Sequence, residues 1–364
     1  MKAAVLNQYN GIFDIEDLDI ADPIGQEVLV EVKAAGLCHS DLHLAENDFG
    51  TRLPAVFGHE LAGVVMAVGP QVRDFVAGDH VVGSVVGFCG HCEACLSGHT
   101  YRCLHPEELR RGAGEGERLS RGGESVTPFF GVSAFAERTL VHEHQLAKVP
   151  AALPFKLAAV LGCGCVTGAG AVINTAKVKA GETVAVFGAG GIGLNVIGGA
   201  RLAGASRIIA IDAQSAKEPL ARKLGATDFI TPGEQDVVSL VQKLTGGGVD
   251  HAFEAIGLKL TAEQAIKIAR KGGNAYMIGV HKPGDTIGVD VMTDLIRRQV
   301  CLRGVYMGSS NIKHDIPMFA ELYLQGRFNL EDLVAGETSL SRINEAYEEV
   351  RKGALARTVI TSFD

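Results

Sequence analysis

The 364-residue chain has no tryptophan, only 6% aromatic residues and no surplus of positive charge. A net charge of -8 provides no basic surface to neutralise a polyanionic backbone, which argues against a general nucleic-acid binder. No apolar run is long enough to span a bilayer, so no membrane role is expected. The opening Met1-Lys2-Ala3-Ala4-Val5-Leu6 reads as a strand. It carries neither a basic-then-apolar leader nor an Arg-rich transit pattern, and the expected compartment is the cytoplasm. The 8 cysteines are then expected as thiols or metal-bound thiolates. Small molecules and further copies of the same chain are the expected partners.

What is present is length, glycine and a change of texture. A chain this long exceeds one comfortable core, and two domains are expected. The 46 glycines suit an α/β protein with many turns and close backbone approaches. Over about the first hundred residues the pattern is β-rich: Val28-Leu29-Val30-Glu31-Val32 and Leu61 to Val68 are strand-like, with turns at Gly36, Gly58, Gly69 and Gly78. Later the chain alternates apolar strands with helical stretches, the signature of parallel βαβ units. Thr183 to Phe187, Arg207 to Ile211, Val249 to Phe253 and Asn274 to Ile278 read as strands. Gly191 to Ala203, Val237 to Leu244 and Ala262 to Ala269 read as helices. The stretch from Leu104 to Pro128, rich in glycine, arginine and glutamate, lacks apolar periodicity and reads as a loop.

Two motifs carry chemistry. Cys89, Cys92, Cys95 and Cys103 form a C-x2-C-x2-C-x7-C cluster that one short segment can wrap around a tetrahedral zinc. A closed four-thiolate site has no open coordination position, so this zinc is structural and the reaction lies elsewhere. The second motif is Gly188-Ala189-Gly190-Gly191-Ile192-Gly193, a G-x-G-x-x-G string. It follows an expected strand, opens an expected helix, and precedes Asp212 at the end of the next strand, about 20 residues on. In this Rossmann fingerprint the glycines let a pyrophosphate approach the amides of the helix N-terminus. Asp212 would accept from the adenosine ribose hydroxyls and repel a 2′-phosphate, favouring NAD over NADP.

Cys38, His59 and Cys163, taken singly, are read more readily as buried thiols and an ordinary histidine. Together, Gly36-Leu37-Cys38-His39-Ser40-Asp41-Leu42-His43, Gly58-His59-Glu60 and Leu161-Gly162-Cys163-Gly164 resemble the zinc-containing alcohol dehydrogenases of the medium-chain dehydrogenase family. The resemblance covers essentially the whole chain, through the four-cysteine cluster and the glycine string to Arg357. It implies a GroES-like catalytic domain over 1–164, completed by 307–364, and a Rossmann domain, a doubly wound parallel sheet, over 165–306, with the active site between them. It implies two zincs per chain: a structural one, and a catalytic one on Cys38, His59 and Cys163 with Glu60 behind it. Asp41 would orient the His59 ring. The retained cysteine at 163 tilts the resemblance toward alcohol dehydrogenases proper and away from polyol and threonine dehydrogenases.

By the same resemblance the zinc acts as a Lewis acid that acidifies a substrate hydroxyl, hydride passes to NAD, and Ser40 relays the proton to His43, the terminal base. Lys217 matches a position that contacts the adenosine ribose, and Arg357 one that pairs with the pyrophosphate. His39 stands where many relatives place an arginine against that pyrophosphate. Phe49, Val85, Phe129 and Phe130 fall near stretches that line the family's substrate pocket and suit an apolar or aryl substrate. The expected reaction is interconversion of a primary or secondary alcohol, aryl and allylic ones included, with its aldehyde or ketone. One alternative is a dehydrogenase of thiol-adducts of formaldehyde, in which Arg110, Arg111, Arg118 or Arg121 binds the carboxylates of a glutathione-like carrier. Another is a non-enzymatic dinucleotide-binding structural protein, a class that tends to lose the zinc ligands present here. The family also implies a homodimer or homotetramer, built here on Val300 to Met307.

Overall fold

The alternation in Val28-Leu29-Val30-Glu31-Val32 becomes the strand Glu27–Gly36, whose valines at 28, 30 and 32 are buried while Leu29 and Glu31 sit half-exposed. A computed structural model describes residues 1–233, 236–353 and 356–364. Two compact units divide the chain: Met1–Cys163 with Asn311–Asp364, and Gly164–Ser310.

In the first unit, Glu27–Gly36 is the hub of a seven-stranded sheet. Its antiparallel partners are Glu60–Val68, Arg138–His142 and Arg357–Ser362. The last of these also pairs in parallel with Val334–Ser339. His80–Gly83 and Leu146–Lys148 continue the sheet beyond Glu60–Val68. A second, six-stranded sheet includes Phe13–Asp17, Lys2–Leu6 and Glu124–Pro128. Phe13, Phe57, Phe135 and Tyr347 interlock in the core beside it, with Phe13 stacked on Tyr347 at 5.5 Å between centroids. The cross-strand pair Gly36↔Glu60 positions the site. A Cβ on Gly36 would lie 2.0 Å from Glu60 Oε2, so only glycine lets that carboxylate turn inward.

The 104–128 stretch is a correction to the loop reading. It contains a 3₁₀ turn at Pro106–Leu109 and a hairpin of Leu119–Arg121 with Glu124–Pro128. Two of its arginines turn inward. Arg111 and Arg118 both bind Glu27, at 2.7 Å each, and Glu27 is 3% exposed. Burial alone would raise the Glu27 carboxyl, but hydrogen bonds from Arg111 and the Ile24 amide and the charge of Arg118 outweigh it and hold it below the usual range.

Opposite Glu27 in the strand register is His142, buried, with Nδ1 accepting from the His144 amide at 3.1 Å. Burial, then the positive charges of His144 and Arg118, push its pKa down to about 4. A folded-state pKa below the unfolded one means the stability this group contributes is present above about pH 6.5 and lost as pH falls toward 4. His142→Asn, whose amide oxygen can take the same hydrogen bond, is expected to flatten the loss of melting temperature between pH 6.5 and 4. An unchanged slope would place the acid sensitivity elsewhere.

In the second unit six strands are all parallel, in the spatial order Asp228–Ile230, Arg207–Ile211, Thr183–Phe187, Val249–Glu254, Ala269–Met277, Cys301–Gly304. Numbered along the unit this is 3-2-1-4-5-6, the Rossmann order. Thr183–Phe187 and Arg207–Ile211 have the bounds read from the sequence. The helix expected from Ala262 begins earlier, spanning Lys259–Ile268, and the strand expected from Asn274 starts at Ala269. The polar run Arg270-Lys271-Gly272-Gly273 hid that start, because its side chains are largely exposed. Cys301–Gly304 is an outer strand, exposed at all four residues. No single helix among the described residues is long and apolar enough to cross a membrane.

Candidate functional site

The four clustered cysteines bring their sulfurs within 4.8 Å of one another. Cys92 Sγ lies 3.4 Å and Cys89 Sγ 3.9 Å from Cys95 Sγ. Zinc–sulfur bonds of about 2.3 Å in a tetrahedron put sulfurs roughly 3.8 Å apart, so the spacing fits zinc and is too long for a disulfide. Backbone amides of Cys89 and His105 donate to Cys103 Sγ, at 3.1 and 3.4 Å, and that of Cys92 donates to Cys89 Sγ at 3.4 Å. Amide donors from Leu104 and Cys95 hold the Cys92 thiol down at about 6. Those donors favour the Cys92 thiolate, while burial raises the Cys95 and Cys103 thiols.

A second donor set, Cys38, His59, Glu60 and Cys163, is wholly buried, and its ligand atoms also lie within 4.8 Å of one another. Each member comes from a different local device. Cys38 is the N-cap of the helix His39–Glu46, His59 follows the left-handed Gly58, Glu60 starts a strand, and Cys163 ends a helical turn. His59 Nδ1 faces Asp41 Oδ1 at 2.9 Å, which turns Nε2 toward Cys163 Sγ at 3.2 Å. Asp41 Oδ1 also accepts from the Gly58 amide at 3.2 Å, so the carboxylate that orients the ring is itself held in place.

The electrostatics suit a cation. The Cys38 thiol is held well below its usual range by a hydrogen bond from Cys163 and the charges of Arg357 and His59, against burial. Cys163, the donor in that pair, is pushed up. Burial raises the Glu60 carboxyl to about 7 although Arg357 pulls it down. Glu60 Oε1 accepts from Arg357 Nη2 at 2.7 Å, while the buried Oε2 has no partner among the described residues. A buried acceptor left unpaired beside two thiols and an imidazole is what a missing cation would satisfy. The four donors of this set therefore fit a zinc ion.

Ser40 and His43 lie one turn apart on the helix His39–Glu46. His43 Nε2 is buried without a partner among the described residues, and the ring packs on Phe49 at 5.3 Å. His39 is exposed on the first turn. Arg357 is not a free surface cation: it is anchored on Glu60 and lies 3.6 Å from Cys38 Sγ. Of the expected pocket residues, Phe129 is a core residue, stacked on Phe57 at 4.0 Å, while Phe130 and Phe49 are 48% and 38% exposed. Val85 is half-buried.

In the second unit the glycine string forms the turn from Thr183–Phe187 into the helix Gly191–Leu202. Gly188 has φ +94°, and a Cβ on Gly193 would lie 1.7 Å from Gly188 O, so both glycines are needed for the turn itself. A Cβ on Gly190 would meet nothing within 4 Å, and no side chain caps the helix. That open cradle beside unclaimed amides fits a pyrophosphate, with Gly191, Ile192 and Gly193 forming the first turn. Asp212 Oδ2 accepts from the Ala189 amide at 2.8 Å and from Lys217 Nζ at 2.9 Å, and Oδ1 accepts from the Gln214 amide at 2.9 Å. The carboxylate is thus fixed at the strand end.

A β-rich unit with both donor sets and a six-stranded Rossmann unit are the two parts of a zinc-containing alcohol dehydrogenase. The chain belongs to the zinc-containing alcohol dehydrogenases of the medium-chain dehydrogenase/reductase family: the alcohol dehydrogenase GroES-like domain matches residues 25–151, and the zinc-binding dehydrogenase domain residues 191–324. It is 36% identical to a geraniol dehydrogenase of Castellaniella defragrans, over 99% of this chain and 97% of that protein. It is 38% identical to an S-(hydroxymethyl)glutathione dehydrogenase of Synechocystis sp., over 99% of each. The crystal structure of a benzyl alcohol dehydrogenase of Acinetobacter calcoaceticus superposes with a TM-score of 0.93 at 36% identity, covering 100% of this chain and 99% of that one.

Proposed function

We propose that the protein is an NAD-dependent alcohol dehydrogenase with two zincs per chain, interconverting primary or secondary alcohols, aryl and allylic ones among them, with their aldehydes or ketones. The observation that carries this reading is the buried set of Cys38, His59, Glu60 and Cys163, with His59 oriented by Asp41. A zinc held by Cys38, His59 and Cys163, with Glu60 behind it, would supply a Lewis acid there. The chain's own residues do the rest. Asp41 fixes the tautomer and orientation of His59. Ser40 passes the hydroxyl proton toward His43, whose unpaired Nε2 is available as the terminal base. The amides after Gly190 hold the cofactor pyrophosphate; Arg357, committed to Glu60, is not assigned to it. Asp212, steadied by Lys217, takes the ribose hydroxyls and repels a 2′-phosphate. The exposed outer strand Cys301–Gly304 is where a second copy would pair to give a homodimer or homotetramer. Cysteines used as metal thiolates suit a reducing, cytoplasmic compartment.

The thiol-adduct reading is less well supported by the arginines. Arg111 and Arg118 are committed to Glu27 and Arg121 to Glu16, leaving Arg110 exposed on that stretch. A non-enzymatic role fits poorly with a complete ligand set.

Elemental analysis is expected to give two zincs per chain, with NAD⁺ reduction at 340 nm across aliphatic, allylic and benzylic alcohols. A two-zinc protein that turns over none of them would sink the reading; preference for hydroxymethyl-thiol adducts over plain alcohols would install the alternative. Asp212→Ala is expected to lower the NAD-to-NADP ratio of kcat/KM by roughly tenfold or more, about 1.4 kcal/mol of discrimination. An unmoved ratio would remove Asp212 from cofactor choice.

A further inference from the structure

The four-cysteine segment carries metal donors beyond its own thiols. His91 lies between Cys89 and Cys92, and Glu108 sits on the 3₁₀ turn Pro106–Leu109 just beyond Cys103. Gly90, left-handed at φ +86°, turns the chain between Cys89 and His91. His91 Nε2 and Glu108 Oε2 come to 2.7 Å. One ligand atom from each of Cys89, His91 and Glu108 lies within 4.8 Å of those of the other two. Cys89 therefore belongs both to this trio and to the four-thiolate set. Thiolate, imidazole and carboxylate are the donors that zinc accepts.

Exposure separates the two sets. The His91 and Glu108 side chains are 62% and 48% exposed, whereas Cys89 is half-buried and Cys92 buried. A contact so open to water contributes little to stability, so holding the fold together does not account for it. The ring of His105, two residues beyond Cys103, lies nearly parallel to that of His91 with centroids 5.9 Å apart, which places a second imidazole on the same face. A closed four-thiolate site has use for such donors. An ion coming from water gains its protein ligands one after another, and the first of them must be reachable from solvent.

We propose that Cys89, His91 and Glu108 form an entry site for zinc, where the incoming ion is held by the exposed imidazole and carboxylate together with Cys89 before it passes to Cys92, Cys95 and Cys103 without leaving Cys89. In the transfer three Zn–S bonds form as the Zn–N bond to His91 and the Zn–O bond to Glu108 break. Protons still on the three sulfurs go to water, no electron changes hands, and His91 and Glu108 are left hydrogen-bonded to each other, the arrangement seen here. This inference rests on the reading of the four cysteines as a zinc site and extends it to how the metal arrives.

The test follows exchange of bound zinc in the zinc-loaded holoenzyme against zinc enriched in a heavy isotope, read as the isotope content of the desalted chain. The four-cysteine phase is the one that persists in His59→Ala. An entry site speeds departure as much as arrival, because both cross the same barrier. His91→Gln and Glu108→Gln are each expected to slow this phase about tenfold, the lower end of what the outer partners of a metal site are worth. Zinc content at equilibrium, melting temperature and kcat/KM are expected to stay as in the wild type. Glu108→His, which keeps a zinc donor without the negative charge, is expected to hold the fast rate. Unchanged exchange in both glutamine variants would leave His91 and Glu108 as a surface ion pair only and overturn the inference. Slow exchange in Glu108→His would trace the effect to charge attraction instead of ligation and overturn it too. A wild type with no zinc on the four cysteines overturns the reading of that set itself, so the failures are distinct.

Discussion

His59→Ala is expected to take zinc content from two per chain to one and to lower kcat/KM by on the order of a thousandfold or more. The loss is selective because the two donor sets share no residue. The four-cysteine set keeps its sulfur spacing and amide donors, so its metal is expected to stay. At the buried set, removing the imidazole leaves two thiols and a Glu60 already tied to Arg357. Lewis acidity is worth several kcal/mol at the transition state, and each 1.36 kcal/mol is a factor of ten. Asp41→Asn grades the same idea: it keeps the shape but withdraws the charge from His59 Nδ1, and a fall in metal affinity of about 10- to 100-fold is expected. Competition with a chelator followed by elemental analysis reads both variants. Two zincs and full turnover in His59→Ala would mean the metal set has been misassigned.

Glu27→Ala is expected to destabilise the first unit by about 3–5 kcal/mol. The carboxylate is the shared partner of Arg111 and Arg118, whose side chains are 9% and 7% exposed, and its removal leaves two buried guanidinium charges uncompensated. Arg111 Nη2 also donates to Asp22 O and Arg118 Nη2 to Leu109 O, so the arginines cannot swing out to water without breaking further bonds. For a unit of this size the melting temperature of its transition is expected to fall by roughly 10 °C. Replacing all three residues with methionine is expected to recover most of the loss, because the penalty belongs to the stranded charges more than to the absent bridge. Near-normal melting of Glu27→Ala would show that water reaches the arginines. The carboxyl is held low when folded, so its contribution is present above its ordinary pKa and is lost as pH falls. The His142 contribution fades in an adjoining acid range at the neighbouring strand position.

The features legible in the sequence were those whose parts lie close together along it. The cysteine spacing, the glycine turn and Asp212 all fall within short segments, and strands such as Thr183–Phe187 announce themselves by unbroken apolar runs. The features that escaped join distant segments or concern backbone angle. Glu27 meets its arginines across 84 and 91 positions, and nothing local to Arg111 or Arg118 tells a buried anchor from a solvated charge. Phe129 and Phe130 are identical letters, and only the left-handed turn between Pro128 and Gly131 buries one ring and exposes the other. The inward turn of Glu60 could have been suspected only from Gly36, whose reason is steric and cross-strand.

Synthesis order gives the strand Arg357–Ser362 a further meaning. It slots beside Glu27–Gly36 through the pairs Val359↔Gly36 and Ile360↔Ala35, and it brings Arg357 to Glu60 across 297 positions. On the ribosome the whole of the second unit emerges before this strand exists, so that unit can fold first while the β-rich unit waits with a gap in its sheet. During that interval Glu60 lacks its guanidinium and the Ala35 and Gly36 end of the central strand lacks its partner, while Arg138–His142 already pairs with its first half. The thiols of Cys38 and Cys163 come under the positive charge of Arg357 only when the late strand docks, so their native electrostatics is completed last.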